Sequence, residues 1–240
     1  ASMELVLTAL IIAFAVSLPL GVAAALRPGS LFDHAVRLIG TFGVAVPTFV
    51  SGLLFIYVFY YLLGWAPDPT GRIDIFMITP PRVTGFLLID TLVAGDFEAF
   101  RSALGQLVLP ALTLALFVIA PLSRITRASM LDVMKSDYVR AAESVGLSPA
   151  RIIVVYGLRN ALIPVLTISG TVISTMLGSS VLVEKVFAWP GIASYSVDAL
   201  MAGDFAPVQG FVLLMAVLYV LVNLTIDVLY RVVDPRVSLA

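Results

Sequence analysis

Long uncharged apolar runs alternate along this chain with shorter polar stretches. Five of them, 5–26, 38–63, 103–123, 161–183 and 205–226, reach the about 20 residues that a helix needs to cross a hydrocarbon core of about 30 Å. The stretch 73–95 is also apolar, but Asp74, Arg82 and Asp90 interrupt it and Pro80-Pro81 would break a helix. It reads as a loop with short interfacial pieces. Between the third and fourth runs, residues 124–160 are too polar to insert and too apolar to be disordered, so they are expected to form surface helices.

Composition turns this pattern into a class. Of the 240 residues 60% are hydrophobic and 12% charged, and the mean hydropathy is +1.08. A soluble domain covers its core with a surface that is about a quarter or more charged, which this chain cannot supply. The expected fold class is an all-α, polytopic transmembrane helical bundle, a single domain over 1–240.

Charge placement gives an orientation, because basic loops stay in the cytoplasm. Ten of the fourteen basic residues fall in the first and third connections and after the last run, among them Arg27, Arg37, Arg124, Arg127, Lys135, Arg140, Arg151 and Arg159. Arg72, Arg82, Arg101 and Lys185 lie on the other side with most of the acids. The C-terminus is therefore expected in the cytoplasm. Trp65 and Trp189 fall near span ends on the outer side, where amphipathic rings favour the headgroup region. This topology starts outside with nothing before residue 5 to carry it there, so at least one upstream span is expected.

Chemistry is sparse. A net charge of −1 argues against nucleic acid. With no Cys and His34 as the single histidine, neither a metal cluster nor a histidine relay can be assembled, and no Walker pattern occurs. An intramembrane serine protease would need a histidine within a span, and an aspartyl one two intramembrane aspartates, of which only Asp227 comes close. A proton-coupled secondary transporter lacks the buried carboxylates it would need. No catalytic and no metal site is assigned.

Within 124–160, residues 124–134 continue the third span, and Ser136 or Asp137 can cap a helix over 138–145 that ends at Gly146. Ser148-Pro149 then restarts a helix, mixing Arg151, Ile152, Val155, Arg159 and Leu162 until Pro164 breaks it. Basic amphipathic helices of this kind are often only lipid anchors.

The stretch 137–166, with Arg140-Ala141-Ala142, Gly146, and Leu158-Arg159-Asn160-Ala161-Leu162 before Pro164, resembles the EAA loop of ABC importer permeases, in particular the dipeptide, oligopeptide and nickel branch. Arg140, Tyr156 and Arg159 replace the Glu, Ile and Pro of many permeases, substitutions usual in that branch. Residues 182–191, Leu-Val-Glu-Lys-Val-Phe-Ala-Trp-Pro-Gly, resemble the branch's outer-loop signature. Asp227-Val228-Leu229-Tyr230 with Asp234-Pro235-Arg236 resembles its C-terminal tail, and Leu20-Gly21 and Pro47-Thr48-Phe49 extend the resemblance over nearly the whole chain.

The resemblance implies a type I importer permease whose coupling helix docks into the ATP-hydrolysing subunit. Asp137, Tyr138, Arg140, Ala141, Ala142, Glu143, Gly146 and Leu147 would carry the ATPase coupling. Glu184, Phe187, Trp189, Pro190 and Gly191 would form the loop that faces an external solute-binding protein. Implied partners are a homologous second permease in a heterodimer, two ATP-binding subunits, the binding protein and membrane lipid. ATP and Mg would be bound by the ATPases, with no cofactor in this chain. Peptides are the expected cargo. Nickel complexes or other small solutes are the alternative, and a chain without Cys offers nickel little.

Overall fold

The computed structural model describes residues 1–233, and is helical without strands among them. The tail residues Asp234, Pro235 and Arg236 lie outside the described residues. Four helical stretches are long and apolar enough to cross a membrane, Ser2–Leu26, Phe97–Met134, Pro149–Val186 and Phe205–Tyr230, with a shorter apolar one at Thr48–Leu62.

In chain order the helices are α1 (Ser2–Leu26), α2 (Leu31–Ala45), α3 (Thr48–Phe55, continuing as a π-helical turn over Ile56–Leu62), α4 (Leu87–Val93) and α5 (Phe97–Met134). There follow α6 (Asp137–Ser144), α7 (Pro149–Arg151, continued by π-helical Ile152–Leu158), α8 (Arg159–Val186), α9 (Ile192–Met201) and α10 (Phe205–Val233).

The second apolar run is where the pattern misleads. Instead of one helix over 38–63, α2 stops at Ala45 and α3 starts at Thr48. Pro47 disfavours helical geometry at Val46, and it stands at the N-cap position with its carbonyl accepting from the N–H groups of Val50 and Ser51. The polar residues Asp33, His34 and Arg37 belong to α2, which makes it a short amphipathic helix. Pro164 departs from expectation in the opposite direction, lying inside continuous α8, as Pro19 does in α1. Spanning helices tolerate proline when neighbouring groups satisfy the freed carbonyl. The outer-loop stretch also contains a helix, α9, that the apolar pattern does not predict.

The residues group into two compact units, one of 1–12, 46–117 and 175–217, the other of 13–45, 118–174 and from 218 on. In the first, Leu5, Leu107, Leu114, Met176, Val183 and Trp189 are fully enclosed. Gly52 lets α3 approach Phe187, Val186 and Thr113, where a Cβ would stand 3.2 to 3.4 Å from their side chains. The loop before α4 closes on Asp90, which accepts from Thr84 N (2.7 Å), Thr84 Oγ1 (2.7 Å) and Gly85 N (3.1 Å). These bonds, the Thr84 N–H foremost, hold its carboxyl below the ordinary value.

In the second unit, Ala25, Met130 and Ala161 form a core with Val22, Leu131 and Leu158 against it. Gly21 is required here, since a Cβ would lie 2.6 Å from Thr126 Cβ and 2.8 Å from Ser123 O. Gly170 likewise faces Asn223 Oδ1 and Ile226, whereas Gly178 on the same helix meets nothing within 4 Å. α8 thus presents a packing face at Gly170 and an open one at Gly178. α10 is the least enclosed of the long helices, with 6% of its apolar window buried against 61% for α5, so its Leu213, Val217, Val220 and Leu224 need lipid or another subunit to cover them.

Candidate functional site

The segment between α5 and α8 is built by two helix ends. Ser136 occupies the N-cap position of α6 with extended geometry, yet its hydroxyl turns back to donate to Val133 O, and the helix starts without a side-chain cap. At the other end, Leu147 N donates to Ala142 O (3.3 Å) and Gly146 N to Glu143 O (3.0 Å), the pair of bonds of a Schellman motif. That motif puts the residue after the C-cap in the left-handed region, and Gly146 has φ +77. Ser148 and Pro149 restart the chain as N-cap and first helical residue.

The motif sorts the side chains of α6 by helical phase. Val139 and Ala142 turn inward and pack with Ile152, flanked by Val133, Met134, Leu147 and Tyr156. Tyr138, Ala141 and Val145, at spacings of three and four, are exposed, Val145 at 75%. Asp137 and Arg140 form an exposed i,i+3 ion pair beside them, and Glu143 and Gly146 are also open to the surface. Of the eight residues the sequence assigns to coupling, Ala142 faces the core, Leu147 is half-buried, and the other six are presented outward. Val145 belongs with the outward group and the sequence reading omits it; its position seven residues after Tyr138 is the signal.

The base of this segment is fastened by a carboxylate that sequence reasoning also passes over. Ser30 Oγ accepts from Asp33 N (3.1 Å) at the start of α2, and Asp33 in return accepts from Gly29 N (2.9 Å), a variant of the capping box. The same carboxylate takes a two-pronged bond from Arg127 of α5, Nε to Oδ1 at 2.5 Å and Nη2 to Oδ2 at 2.7 Å. Arg127, then the Gly29 N–H, hold its carboxyl well below the usual range, at about 2. Ser-x-x-Asp before an amphipathic run was the legible half of this arrangement; the distant arginine was not.

The second motif, 184–191, folds into a corner between α8 and α9. Trp189 N donates to Glu184 O (2.8 Å) and Ala188 N to Lys185 O (3.4 Å), again the Schellman pattern, but the left-handed position is held by Ala188 at φ 46. Glu184 is enclosed and its Oε2 accepts from Ser194 N (2.8 Å). Gly191 lies so close to this carboxylate that a Cβ would overlap it. The Trp189 ring is 2% exposed and stacks near the guanidinium of Arg72, 5.9 Å from the ring centre. Arg72 is itself ion-paired to Glu4, which accepts from Leu88 N (2.9 Å). Lys185 pairs with Asp198 of α9.

Of the five residues assigned to a partner-facing loop, Glu184, Phe187, Trp189 and Gly191 are therefore enclosed by their own chain, and Pro190 is exposed. The surface of the corner is made by Ala188, Pro190, Ile192 and Tyr195. Among the described residues no three His, Cys, Asp or Glu side chains gather as a metal site.

Residues 17–239 match the family model described as binding-protein-dependent transport system inner membrane component. A di/tripeptide transport system permease protein of Pseudomonas aeruginosa is 45% identical over 99% of this chain and 70% of its own length. The dipeptide transport system permease protein of Escherichia coli is 40% identical over the same shares, and an oligopeptide transport system permease protein of Bacillus subtilis 38% over 98% and 68%. Among solved structures, a chain of the MetNI methionine ABC transporter, in inward-facing conformations, superposes with a TM-score of 0.67 at 17% identity, covering 97% of this chain and 94% of that one.

Proposed function

This chain belongs to the family of binding-protein-dependent transport system inner membrane components, and from that premise we propose that it forms part of the membrane pore of an ATP-driven importer of di- and oligopeptides. The observation that carries the cargo class is the 45% identity, over 99% of the chain, to a permease of a di/tripeptide system. A second, homologous permease would complete the pore, two ATPase subunits would bind ATP and Mg, and an external binding protein would deliver the peptide. Bond-breaking chemistry belongs to the ATPases, and this chain converts their closure into an alternating pathway.

The positive loops support a cytoplasmic position for α6 and the C-terminus. There the apolar stripe Tyr138, Ala141 and Val145 has the form of a helix laid into a groove, with anchors one helical turn apart. Asp137, Arg140 and Glu143 ring it with charge that sets register more than affinity. Ala142 and Leu147 contribute by holding α6 onto α5 and α7, so that a push on the outward face moves the span. On the opposite side of the membrane, Glu184, Trp189 and Gly191 give the α8–α9 corner its shape, and Pro190 and Tyr195 are its points of contact for the binding protein. Along α8 the exposed Thr167, Thr171, Thr175 and Gly178 suit a water-lined path or a neighbouring permease better than lipid.

The test is reconstitution. Proteoliposomes holding this chain with its companion permease and ATPases, supplied with the binding protein, should accumulate labelled dipeptide only with internal ATP. Uptake of a nickel chelate in place of peptide, or peptide uptake independent of ATP, would overturn the reading.

A further inference from the structure

Beside the Asp33–Arg127 pair, α2 and α5 flank a half-open cavity of about 590 Å³ lined by His34, Arg37, Arg124 and Arg127 together with Leu38 and Ala120 among others. Three guanidiniums thus line a cavity whose edge holds one carboxylate, Asp33. Arg127 holds both Asp33 oxygens, and Arg37 reaches the same carboxylate at 3.8 Å. Among the described residues no carboxylate lies within ion-pair distance of Arg124. Two positive charges are left over. His34 adds a donor, since its Nδ1 accepts from Arg37 and its proton must then sit on Nε2.

Coupling to the ATPase does not account for this excess, because the cavity lies on α2 and α5 while the docking stripe lies on α6. Nor is the rim that of a site for a fully polar solute. Leu38 and Ile39 are 61% and 62% exposed, and Leu31 and Phe32 at the start of α2 are 89% and 43% exposed. A short amphipathic helix with charge on one face and bare apolar residues on the other lies in a membrane interface. Basic pockets between helices on the cytoplasmic side, where the leaflet is anionic, hold phosphate-bearing headgroups.

We propose that this cavity binds the phosphate of an anionic phospholipid of the inner leaflet, with Arg37 and Arg124 as the charge partners, His34 as a further hydrogen-bond donor, and the acyl chains along Leu38 and Ile39. The proposal rests on the cytoplasmic orientation given above. Arg127 is a positioning residue here: occupied by Asp33, it fixes the distance between α2 and α5 and so the width of the cavity.

The assembled transporter, delipidated in detergent, would be titrated with dioleoyl phosphatidylglycerol or dioleoyl phosphatidylcholine and read by native mass spectrometry. The expected result is a preference for phosphatidylglycerol of about tenfold or more that the Arg37→Gln, Arg124→Gln double variant abolishes. The Arg151→Gln variant, which removes an exposed arginine elsewhere, keeps it. ATPase activity and subunit composition are recorded on the same samples, so a complex that assembles and hydrolyses ATP without lipid preference defeats this proposal alone. Equal retention in the double variant, or displacement of the lipid by excess inorganic phosphate, would overturn the assignment to lipid; the latter would point to a free anion.

Discussion

The helix α6 and the corner that joins α8 to α9 end in the same backbone device and use it to opposite purposes. At α6 a Schellman turn closes over Gly146 and leaves Tyr138, Ala141 and Val145 facing out. At the corner a Schellman turn closes over Ala188 and folds Glu184, Phe187 and Trp189 in. Equal resemblance to family motifs therefore marks two unlike things, an outward-facing stripe in one place and an internal brace in the other.

The strongest way to break this distinction is at Gly191. Adding a methyl group there drives it into the enclosed Glu184 carboxylate, so Gly191→Ala should abolish recovery of the assembled complex on size exclusion; normal recovery would mean that Glu184 is free to move. Next comes the fastening of α2 to α5. The Asp33 carboxyl is depressed to about 2, below the ordinary value of about 3.9, so its contribution is fully present above about pH 4 and is lost as pH falls toward 2. The melting temperature of Asp33→Asn should accordingly lie well below that of the parent at pH 7, and the gap should narrow as pH falls below 4.

A smaller effect separates the two Schellman turns themselves. Gly146→Ala places a Cβ at φ +77 and should cost about 1 kcal/mol, whereas Ala188→Gly relieves φ 46 and should stabilise by about 0.5 to 1 kcal/mol. Thermal unfolding of both variants measures the pair, and equal signs would contradict the assigned backbone geometry. The smallest change in stability, within about 0.5 kcal/mol, is expected for Val145→Asp on the bare face of α6. Its consequence should appear instead in ATP-driven peptide uptake, which falls while the complex stays folded.

Four of the five expected spans and the helices of the α6 segment were legible in the sequence because each depends on local causes. Apolar length marks a span, Ser148-Pro149 a helix start, and Gly146 a helix stop. Pro47 and Pro164 show the limit: the same residue type ends α2 and is carried inside α8, a difference decided by neighbours rather than by the proline. The candidate site was legible at the level of the segment and not of the side chain. Ala141 and Ala142 are adjacent and identical, and only the packing of Val139 and Ile152 against Ala142 assigns one outward and the other inward. Burial of Glu184 and its fit over Gly191 likewise depend on α9, a helix that no apolar run announced.

Ala141 and Ala142 supply the most direct measurement, since the chain has no native cysteine to interfere. Single variants Ala141→Cys and Ala142→Cys, in the assembled transporter, would be cross-linked to a cysteine in the groove of the ATPase with and without nucleotide. The account predicts a nucleotide-sensitive cross-link at position 141 and little at 142. Efficient cross-linking at 142 with none at 141, 138 or 145 would contradict it.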